Sequence, residues 1–497
     1  MLKHVKVVFT LCVLSLNCSL AANILGFFPF KSKSHNAVFL PLMEHLARRG
    51  HQVTVVSHSP RVIALPNYTD INIKLSYEEK NSYLNIDYLE RNSGFGLRNF
   101  LPLWHTSNQY EEILQLAEVK GLLGQTFDVI ITEMFNSDVF FGLFYRLNSP
   151  IIGFSSCDLL PWHMYDMRIP LESSYLIYTT SQLEKPMNLY DRIVNTLETW
   201  INIFVYKFVF SWRSQMIAER NLGPLPNLGD VVGNTSLLLV NSHFSILGVK
   251  PIGPNIIEVG GIHITQTGRL PQTLQERLDN SKYGAIYFSL GSTINADSIS
   301  KSKKEAFLKV FSNLKQTVFW KTTNIDNKVK TNNSTNIVTS SWFPQKEVLA
   351  HPNIVLFISQ CGILSVIESM YAGIPTICIP ILGDQHFNGK SVEYNKAGLV
   401  LEFNDISVIT VNETLNRVLS NNIYKKNAEK ISKILQDRPM SPIDTAVYWV
   451  EYVIRHKGAP HIKSLAKDLA WYQYLNLDVI LLFSFTIYHF FKLIKSK

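Results

Sequence analysis

One stretch of the sequence combines the residue types that bind a phosphorylated ligand. An apolar run from Ile354 to Ile358 is typical of a buried strand, and Gly362 follows where a helical pattern begins. The first turn of such a helix presents unpaired N–H groups and the positive end of the helix dipole, which favour a diphosphate. Ser365 adds a donor in that turn, and Glu368 lies three residues on, on the same face, where its carboxylate can accept from a pair of hydroxyl groups.

Further segments on both sides extend this pattern. They are Ser341-Trp342-Phe343-Pro344-Gln345, Leu349-Ala350-His351-Pro352, Phe357 to Glu368, Gly373-Ile374-Pro375 and Asp384 to Asn388. Together they resemble the signature of the UDP-glycosyltransferase family, whose members include the animal glucuronosyl- and glucosyltransferases. The resemblance extends over nearly the whole chain, and the insect members look most similar.

For the matching positions, the resemblance implies a binding site for a UDP-sugar. Trp342 would stack on uracil, and Gln345 would reach a polar edge of the nucleotide. Asp384 and Gln385, at another strand-to-helix turn, would bind hydroxyls of the transferred sugar. Ser292 ends the segment Ser289-Leu290-Gly291-Ser292, which follows a predicted strand where the family binds phosphate with backbone and hydroxyl groups.

The acceptor chemistry implied by the resemblance needs a general base after the first strand, where this chain has Ser34-His35-Asn36. A hydroxyl is a poor nucleophile until a base such as histidine takes its proton. A histidine base in turn needs a carboxylate to hold its tautomer and stabilise the imidazolium. Many relatives have Asp where this chain has Glu133, and Asp138 is the alternative partner; we favour Glu133 because it ends a predicted strand.

Position 360 departs from the pattern of the family. Many relatives read Thr-His-Gly-Gly where this chain has Ser359-Gln360-Cys361-Gly362. Gln360 can donate an N–H group to a phosphate, but it cannot carry a charge. One hypothesis is therefore a nucleotide-binding protein with weak or no turnover. The presence of His35, Glu368 and Asp384 favours an active enzyme.

Two α/β series would position these residues. Asn23 to Phe30, Val38 to Arg49 and Gln52 to Val56 have the pattern of strand, helix and strand, and a second series begins with Ala285 to Leu290. The predicted fold class is α/β, with two doubly wound Rossmann-like domains that face each other across a cleft, the GT-B type. Ligands of such sheets bind outside the carboxyl ends of the strands. A separate apolar segment, Trp200 to Phe210, lies between the two series. It is predicted to be a core helix, and the alternatives are a wall of the acceptor pocket and a membrane-contacting surface.

Both ends of the chain carry membrane-related patterns. Lys3 and Lys6 precede an apolar stretch and the small residues of Ser19 to Ala21, which is typical of a secretory signal peptide. Leu475 to Ile494 has about the length that a membrane-spanning helix requires, and basic residues follow it. We expect a single-pass protein of the endoplasmic reticulum membrane with lumenal catalytic domains. Five glycosylation sequons agree with this, at Asn67, Asn234, Asn332, Asn333 and Asn412.

Composition excludes several classes of protein. The 47 Lys and Arg residues outnumber the 39 Asp and Glu residues but are spread along the chain, which argues against nucleic-acid binding. Cys157, Cys361 and Cys378 are too few and too scattered for a disulfide framework or a zinc site. Because no Asp-x-Asp pair appears, we expect no metal, and no cofactor besides the UDP-sugar, which is a co-substrate.

The predicted domains are a signal peptide (1–21), an acceptor-binding domain (22–245), a UDP-sugar-binding domain (246–474), a transmembrane helix (475–494) and a cytosolic tail (495–497). The predicted function is an inverting transfer of a sugar to a hydroxyl of a small lipophilic acceptor. Glucose is favoured as the sugar because the insect members look most similar, and glucuronic acid is the alternative. A metal-dependent glycosyltransferase or a phosphorylase is the alternative enzyme class. The membrane is a further expected partner. The sequence leaves open whether the protein forms an oligomer.

Overall fold

The computed structural model describes residues 21–75, 100–179, 181–264, 268–291, 299–322 and 336–496, except for the side chains of residues 100–103 and 105–108. Residues 1–20 of the predicted signal peptide, Ser292, the sequons at Asn332 and Asn333 and the last residue of the predicted tail lie outside these ranges.

Two parallel sheets organise the chain, and this confirms the predicted fold class. The first has the strand order β3-β2-β1-β4-β5-β6-β7, and the second has the order β10-β9-β8-β11-β12-β13. In each sheet the order reverses beside the strand that comes first in the chain, which defines a doubly wound fold. The strands of the first sheet are β1 (Asn23–Phe28), β2 (Gln52–Ser57), β3 (Tyr68–Asn72), β4 (Val129–Glu133), β5 (Ile151–Ser155), β6 (Leu237–Val240) and β7 (Ile256–Glu258). Those of the second are β8 (Ala285–Ser289), β9 (Thr317–Lys321), β10 (Ile337–Ser340), β11 (Ile354–Ser359), β12 (Thr376–Cys378) and β13 (Gly398–Val400).

Helices cover both faces of each sheet. Those before β8 are α1 (Lys33–Arg48), α2 (Phe100–Gln115), α3 (Ala117–Lys120), α4 (Phe141–Leu147), α5 (Pro161–Asp166), α6 (Leu189–Val205), α7 (Trp212–Leu222), α8 (Leu228–Gly233), α9 (Phe244–Leu247) and α10 (Gln272–Asp279). Those after β8 are α11 (Lys301–Phe311), α12 (Gln345–Leu349), α13 (Ile363–Tyr371), α14 (Gln385–Tyr394), α15 (Val408–Ser420), α16 (Asn422–Gln436), α17 (Pro442–Arg455), α18 (Trp471–Tyr474) and α19 (Leu477–Lys495). A π-helical segment, Tyr206–Ser211, joins α6 to α7.

Polar residues end several of the central strands. Strands β4, β5 and β8 are buried along their whole length, as expected for parallel strands covered by helices on both faces. Nevertheless Glu133, Ser155, Ser289 and Ser359 stand at the carboxyl ends of β4, β5, β8 and β11 and are at most 2% exposed. Polar side chains therefore collect at the edge of each sheet where α/β proteins bind ligands.

The first helix begins earlier than the sequence predicts. Ser32 has an extended backbone, and helical structure starts at Lys33 rather than at Val38. Ser34, His35 and Asn36 thus lie in the first turn of α1 and not in a loop. Hydrophobic periodicity misses this turn because its residues are polar.

Two segments beyond the predicted domain boundary belong to or pack against the first domain. Strand β7 pairs with β6, so the first sheet continues to Glu258, beyond the predicted boundary at residue 245. Helix α17 returns to the first domain, where Val447 and Val450 share a core cluster with residues of α1 and β1, and Glu451 binds Arg49. The strand pairing favours a domain division after Glu258.

Cysteine pairing differs from the prediction. Cys361 and Cys378 form a disulfide. The spacing of 17 residues conceals that β11 and β12 are neighbours, with Ser359 opposite Cys378. The cysteine count argued against a framework of several bridges and did not predict this single bridge at the carboxyl ends of two strands. Cys157 is a buried free thiol.

Helix α19 is the one helix in the described part of the chain that is long and apolar enough to cross a membrane. It has 19 residues and a mean hydropathy of 1.7, and none of it is buried. It begins two residues after the predicted start, because Leu475 and Asn476 separate it from α18.

Candidate active site

A cleft of about 1130 Å³ lies between the carboxyl edges of the two sheets. It brings together residues that are far apart in the sequence, and most of the predicted site residues line it. They are His35, Trp342, Gln345, Gln360, Gly362, Ser365, Glu368, Asp384 and Gln385.

His35 enters the cleft from the first turn of α1 with its ring held by two neighbours. Its Nδ1 atom is in short contact with Oε1 of Glu133, which is 1% exposed, at the end of β4. Ser156, just after β5, lies 3.0 Å from the same Nδ1 through its Oγ and donates to Glu133 Oε1 at 3.1 Å. Since the carboxylate and the hydroxyl both face Nδ1, Nε2 is the ring atom available to a ligand.

Two phenylalanine rings restrict the plane of the imidazole. The Phe30 and Phe135 ring centroids lie 4.6 and 5.2 Å from that of His35. Sequence reasoning missed both rings and Ser156. The signal for Ser156 was its place directly after the carboxyl end of β5, whereas the two rings had no signal beyond their apolar character.

Asp138 has a different role from the predicted one. The Tyr206 hydroxyl donates to its Oδ1 at 2.8 Å, and the Ser211 hydroxyl donates to Oδ2 at 2.9 Å. Both donors belong to the π-helical segment, and Asp138 is 2% exposed. The prediction of Asp138 as a partner of the base is corrected, because the short helical turn at 138–140 directs its carboxylate into this buried network.

On the opposite wall, Gln345 orients the carboxylate of Glu368 on α13. Its Nε2 donates to Ser365 Oγ at 3.0 Å and to Glu368 Oε2 at 2.7 Å. His263 Nε2 lies 3.2 Å from the other carboxylate oxygen but is not aligned for a hydrogen bond. Gln345 thus links Ser365 to Glu368 and orients the Glu368 carboxylate. The sequence did not single out His263, which precedes the second sheet.

Trp342 stands at the mouth of the cleft with lysines around its ring. The indole is 60% exposed, and the ammonium groups of Lys321 and Lys33 lie 4.5 and 5.9 Å from its centroid. Burial, with a smaller contribution from Lys33, lowers the pKa of Lys321. An exposed indole beside two cations offers a flat apolar surface within reach of an anionic ligand.

Gln360 packs against the backbone of the turn after β8. Gly291 has φ +79°, and a Cβ atom at this position would lie 2.0 Å from Gln360 Nε2. The positive φ therefore favours glycine at position 291, and the absence of a side chain there leaves room for the amide of Gln360. Ser359 Oγ donates to Gln360 Oε1 at 3.2 Å, which turns the amide nitrogen towards Gly291.

Asp384 and Gln385 begin α14 at the carboxyl edge of the second sheet. Asn388 donates to Asp384 Oδ2 at 2.8 Å. Burial raises the pKa of Asp384, although Asn388 and the nearby His35 oppose this shift. Gln385 Oε1 accepts from the backbone N–H groups of Ile381 and Leu382, which fixes the orientation of its amide at the cleft.

The chain is similar to known proteins over most of its length. Residues 28–496 match the model of the family described as UDP-glucoronosyl and UDP-glucosyl transferase. The chain is 38% identical to UDP-glycosyltransferase UGT5 of Dactylopius coccus over 92% of this chain and 88% of the relative. It is 33% identical to UDP-glucosyltransferase 2 of the same insect over 95% and 92%. A solved structure of UDP-glucose: anthocyanidin 3-O-glucosyltransferase in complex with UDP has a similar fold, with a TM-score of 0.60 and 17% identity over 88% of this chain and 99% of that one.

Proposed function

This chain belongs to the family of UDP-glucosyl and UDP-glucuronosyl transferases, and we propose that it transfers glucose from UDP-glucose to a hydroxyl of a small lipophilic acceptor. The observation that carries the proposal is the position of the His35–Glu133 pair, which faces the start of α13 across one cleft. A general base and an anion-binding helix terminus are the two parts that such a transfer needs.

The second domain supplies the donor side of the proposal. The diphosphate would lie against the N-terminus of α13, where Gly362 and the backbone N–H groups face the cleft. Glu368, held by Gln345, would accept from the ribose hydroxyls, and Trp342 would stack on uracil. Ser292 follows Gly291 and is proposed as a further phosphate ligand. Since the helix terminus and hydrogen bonds meet the charge of the diphosphate, the proposed reaction uses no metal and no cofactor besides the UDP-sugar.

The proposed chemistry is a direct displacement. Nε2 of His35 takes the proton of the acceptor hydroxyl as its oxygen attacks the anomeric carbon, and the bond from that carbon to UDP breaks. Glu133 stabilises the imidazolium that forms, and Asp384 and Gln385 hold the hydroxyls of the sugar. Attack on the face opposite to UDP inverts the configuration of the anomeric carbon.

Apolar side chains line the part of the cleft around His35 and support a lipophilic acceptor. They are Phe30, Tyr110, Phe135, Leu160 and Trp162. Glucose is proposed as the transferred sugar because one relative carries the name UDP-glucosyltransferase. Glucuronic acid is the alternative, and supplying each UDP-sugar in turn distinguishes the two.

Release of UDP from membranes of expressing cells tests the proposal. UDP-glucose and UDP-glucuronic acid are each supplied with a panel of phenols and polyphenols. We expect acceptor-dependent release from UDP-glucose. Retained UDP binding without release from either donor would favour the alternative, a nucleotide-binding protein without turnover.

Gln360→His is expected to tighten UDP binding several-fold at pH 6 and by less at pH 8. A charge-assisted hydrogen bond to phosphate contributes about 1.5–3 kcal/mol, against about 0.5–1.5 kcal/mol for a neutral one. Imidazole gains its charge as the pH falls through its usual range, so the advantage over glutamine grows towards pH 6. Titration of UDP into both proteins at the two pH values measures the effect.

Gln360→Glu is the matched control for that substitution. It keeps the shape of the side chain but adds a negative charge, and it should weaken UDP binding at both pH values. Equal affinity of wild type, Gln360→His and Gln360→Glu at pH 6 would mean that position 360 does not face the phosphates.

We also propose a single-pass location in the membrane of the endoplasmic reticulum with both domains in the lumen. The sequons at Asn67, Asn234 and Asn412 stand at exposed positions, which supports this orientation. Endoglycosidase treatment of the full-length protein from animal cells should increase its electrophoretic mobility, and Asn67→Gln, Asn234→Gln and Asn412→Gln should each reduce the shift. A full-length protein insensitive to the enzyme would contradict lumenal placement.

A further inference from the structure

The helical segment from α6 through α7 has an inverted distribution of polarity. Between Ile193 and Met216, all of which the structure describes, every exposed residue is apolar. We call these side chains the outer apolar face: Ile193, Leu197, Trp200, Ile201, Phe204, Phe208, Val209, Trp212 and Met216. Recurrence at three or four residues places them along one side of the segment for roughly 35 Å.

The opposite side of the same segment is buried and partly polar. Asn195 donates to the carbonyl oxygens of Ser173 and Leu176 at 2.6 and 2.7 Å. Tyr206 and Ser211 donate to Asp138, as described above. These satisfied contacts fix which side faces the protein, so the exposure of the apolar side is a property of the fold. A helix at a water-facing surface has the reverse arrangement.

A chain of contacts connects the outer apolar face to the base of α19. Trp200 of this face makes an edge-to-face contact with Tyr165, with ring centroids 6.2 Å apart. The Arg168 guanidinium stacks between Tyr165 and Tyr474, 5.3 and 5.2 Å from the two rings. The Tyr474 hydroxyl also donates to the carbonyl of Ile169 at 3.1 Å. Tyr474 ends α18, three residues before α19 begins.

We propose that the outer apolar face lies on the surface of the lipid bilayer that α19 enters. The start of α19 is held beside this face. Because α19 is apolar and wholly unburied in the protein, the lipid that would surround it lies within reach of the outer apolar face. Trp200 and Trp212 are of the residue type enriched at the membrane–water boundary. Nine clustered apolar side chains also exceed the isolated exposed residues that are normal on a water-facing surface.

Fluorescence of the full-length protein in phospholipid vesicles tests the proposal. Phe208→Cys is labelled with an environment-sensitive fluorophore, and lipids carry a nitroxide either on the headgroup or on the acyl chain. Cys157 is buried and the other two described cysteines are bonded to each other, so the new thiol is the accessible one among described residues. The matched control is Ile409→Cys, which is 68% exposed on α15 of the second domain.

We expect nitroxide lipids to quench the label at position 208 at least threefold more strongly than the label at position 409. A label at Phe204→Cys should behave like the one at 208. Both label sites lie outside the cleft, so retained UDP binding checks that the variants are folded. Quenching at 204 and 208 no greater than at 409 would overturn the proposal. Concentration-dependent burial of the 208 label in detergent, with no quenching by nitroxide lipids, would assign the face to a second copy of the chain instead.

Discussion

Replacement of His35 by alanine is expected to reduce transfer by two orders of magnitude or more while UDP binding survives. General-base catalysis contributes about 10²–10⁴ to a rate, and Nε2 is the ring atom of His35 that Glu133 and Ser156 leave for the proposed acceptor. The proposed nucleotide contacts come from the second domain, so the dissociation constant of UDP should change by less than twofold. Initial rates with saturating donor and calorimetric titration of UDP measure the two quantities.

His45→Ala is the matched control, because His45 lies on the same helix but faces Asp444 across 4.0 Å rather than the cleft. Its rate should stay near that of wild type. Loss of UDP binding by His35→Ala in proportion to the loss of rate would contradict the assignment, since it would place His35 among the donor contacts.

Glu133→Gln is expected to lower mainly the rate, and Asp138→Asn is expected to lower mainly the stability. Glu133→Gln removes the charge that stabilises the imidazolium, so the rate should fall by about two to four orders of magnitude with donor affinity unchanged. Asp138→Asn leaves the His35 pair intact but replaces an acceptor of two hydroxyl donors by an amide. An unsatisfied buried group costs about 1–3 kcal/mol, so the midpoint temperature of unfolding should fall by a few degrees.

Initial rates and thermal unfolding of both variants measure these effects, and Ser156→Ala serves as an intermediate case. It removes one hydroxyl from His35 and Glu133 while the carboxylate contact remains, so its loss of rate should be smaller than that of Glu133→Gln. A greater loss of rate in Asp138→Asn than in Glu133→Gln would contradict the pairing seen in the structure.

The sequence could predict that the proposed donor-side residues line one cleft, because they are close together in the chain. Trp342 to Gln385 spans three strand-to-helix turns of one sheet, and the order of residue types gives the spacing directly. Even here, the sequence assigned Gln345 to the nucleotide alone. The structure adds its bonds to Ser365 and Glu368, which depend on the packing of α12 against α13.

The residues proposed for the acceptor side were harder to predict from the sequence, because their contacts come from separate strands and helices. His35 follows β1, Glu133 ends β4 and Ser156 follows β5, and only the strand order brings these three strands together. The sequence left Glu133 and Asp138 as alternatives, since a separation of five residues does not say which way a short helical turn directs a carboxylate. Strand adjacency likewise determines the Cys361–Cys378 bridge.

The segment Trp200 to Phe210 shows a different limit of sequence reasoning. Apolar residues occupy both sides of this helix, so the pattern favoured a core helix. In the structure Tyr206 and Phe210 are buried, whereas Phe204 and Phe208 are more than 60% exposed. Periodicity alone cannot separate the two sides when the buried one also carries Asn195 and Asn202.

The configuration of the glycoside product tests the central claim most directly. Wild-type protein is incubated with UDP-glucose, whose anomeric bond is α, and a lipophilic phenol, and the proton spectrum of the product is recorded. Direct displacement with His35 as the base predicts a β-glucoside as the sole product. An α-glucoside, or release of UDP and free glucose without a glycoside, would contradict the account.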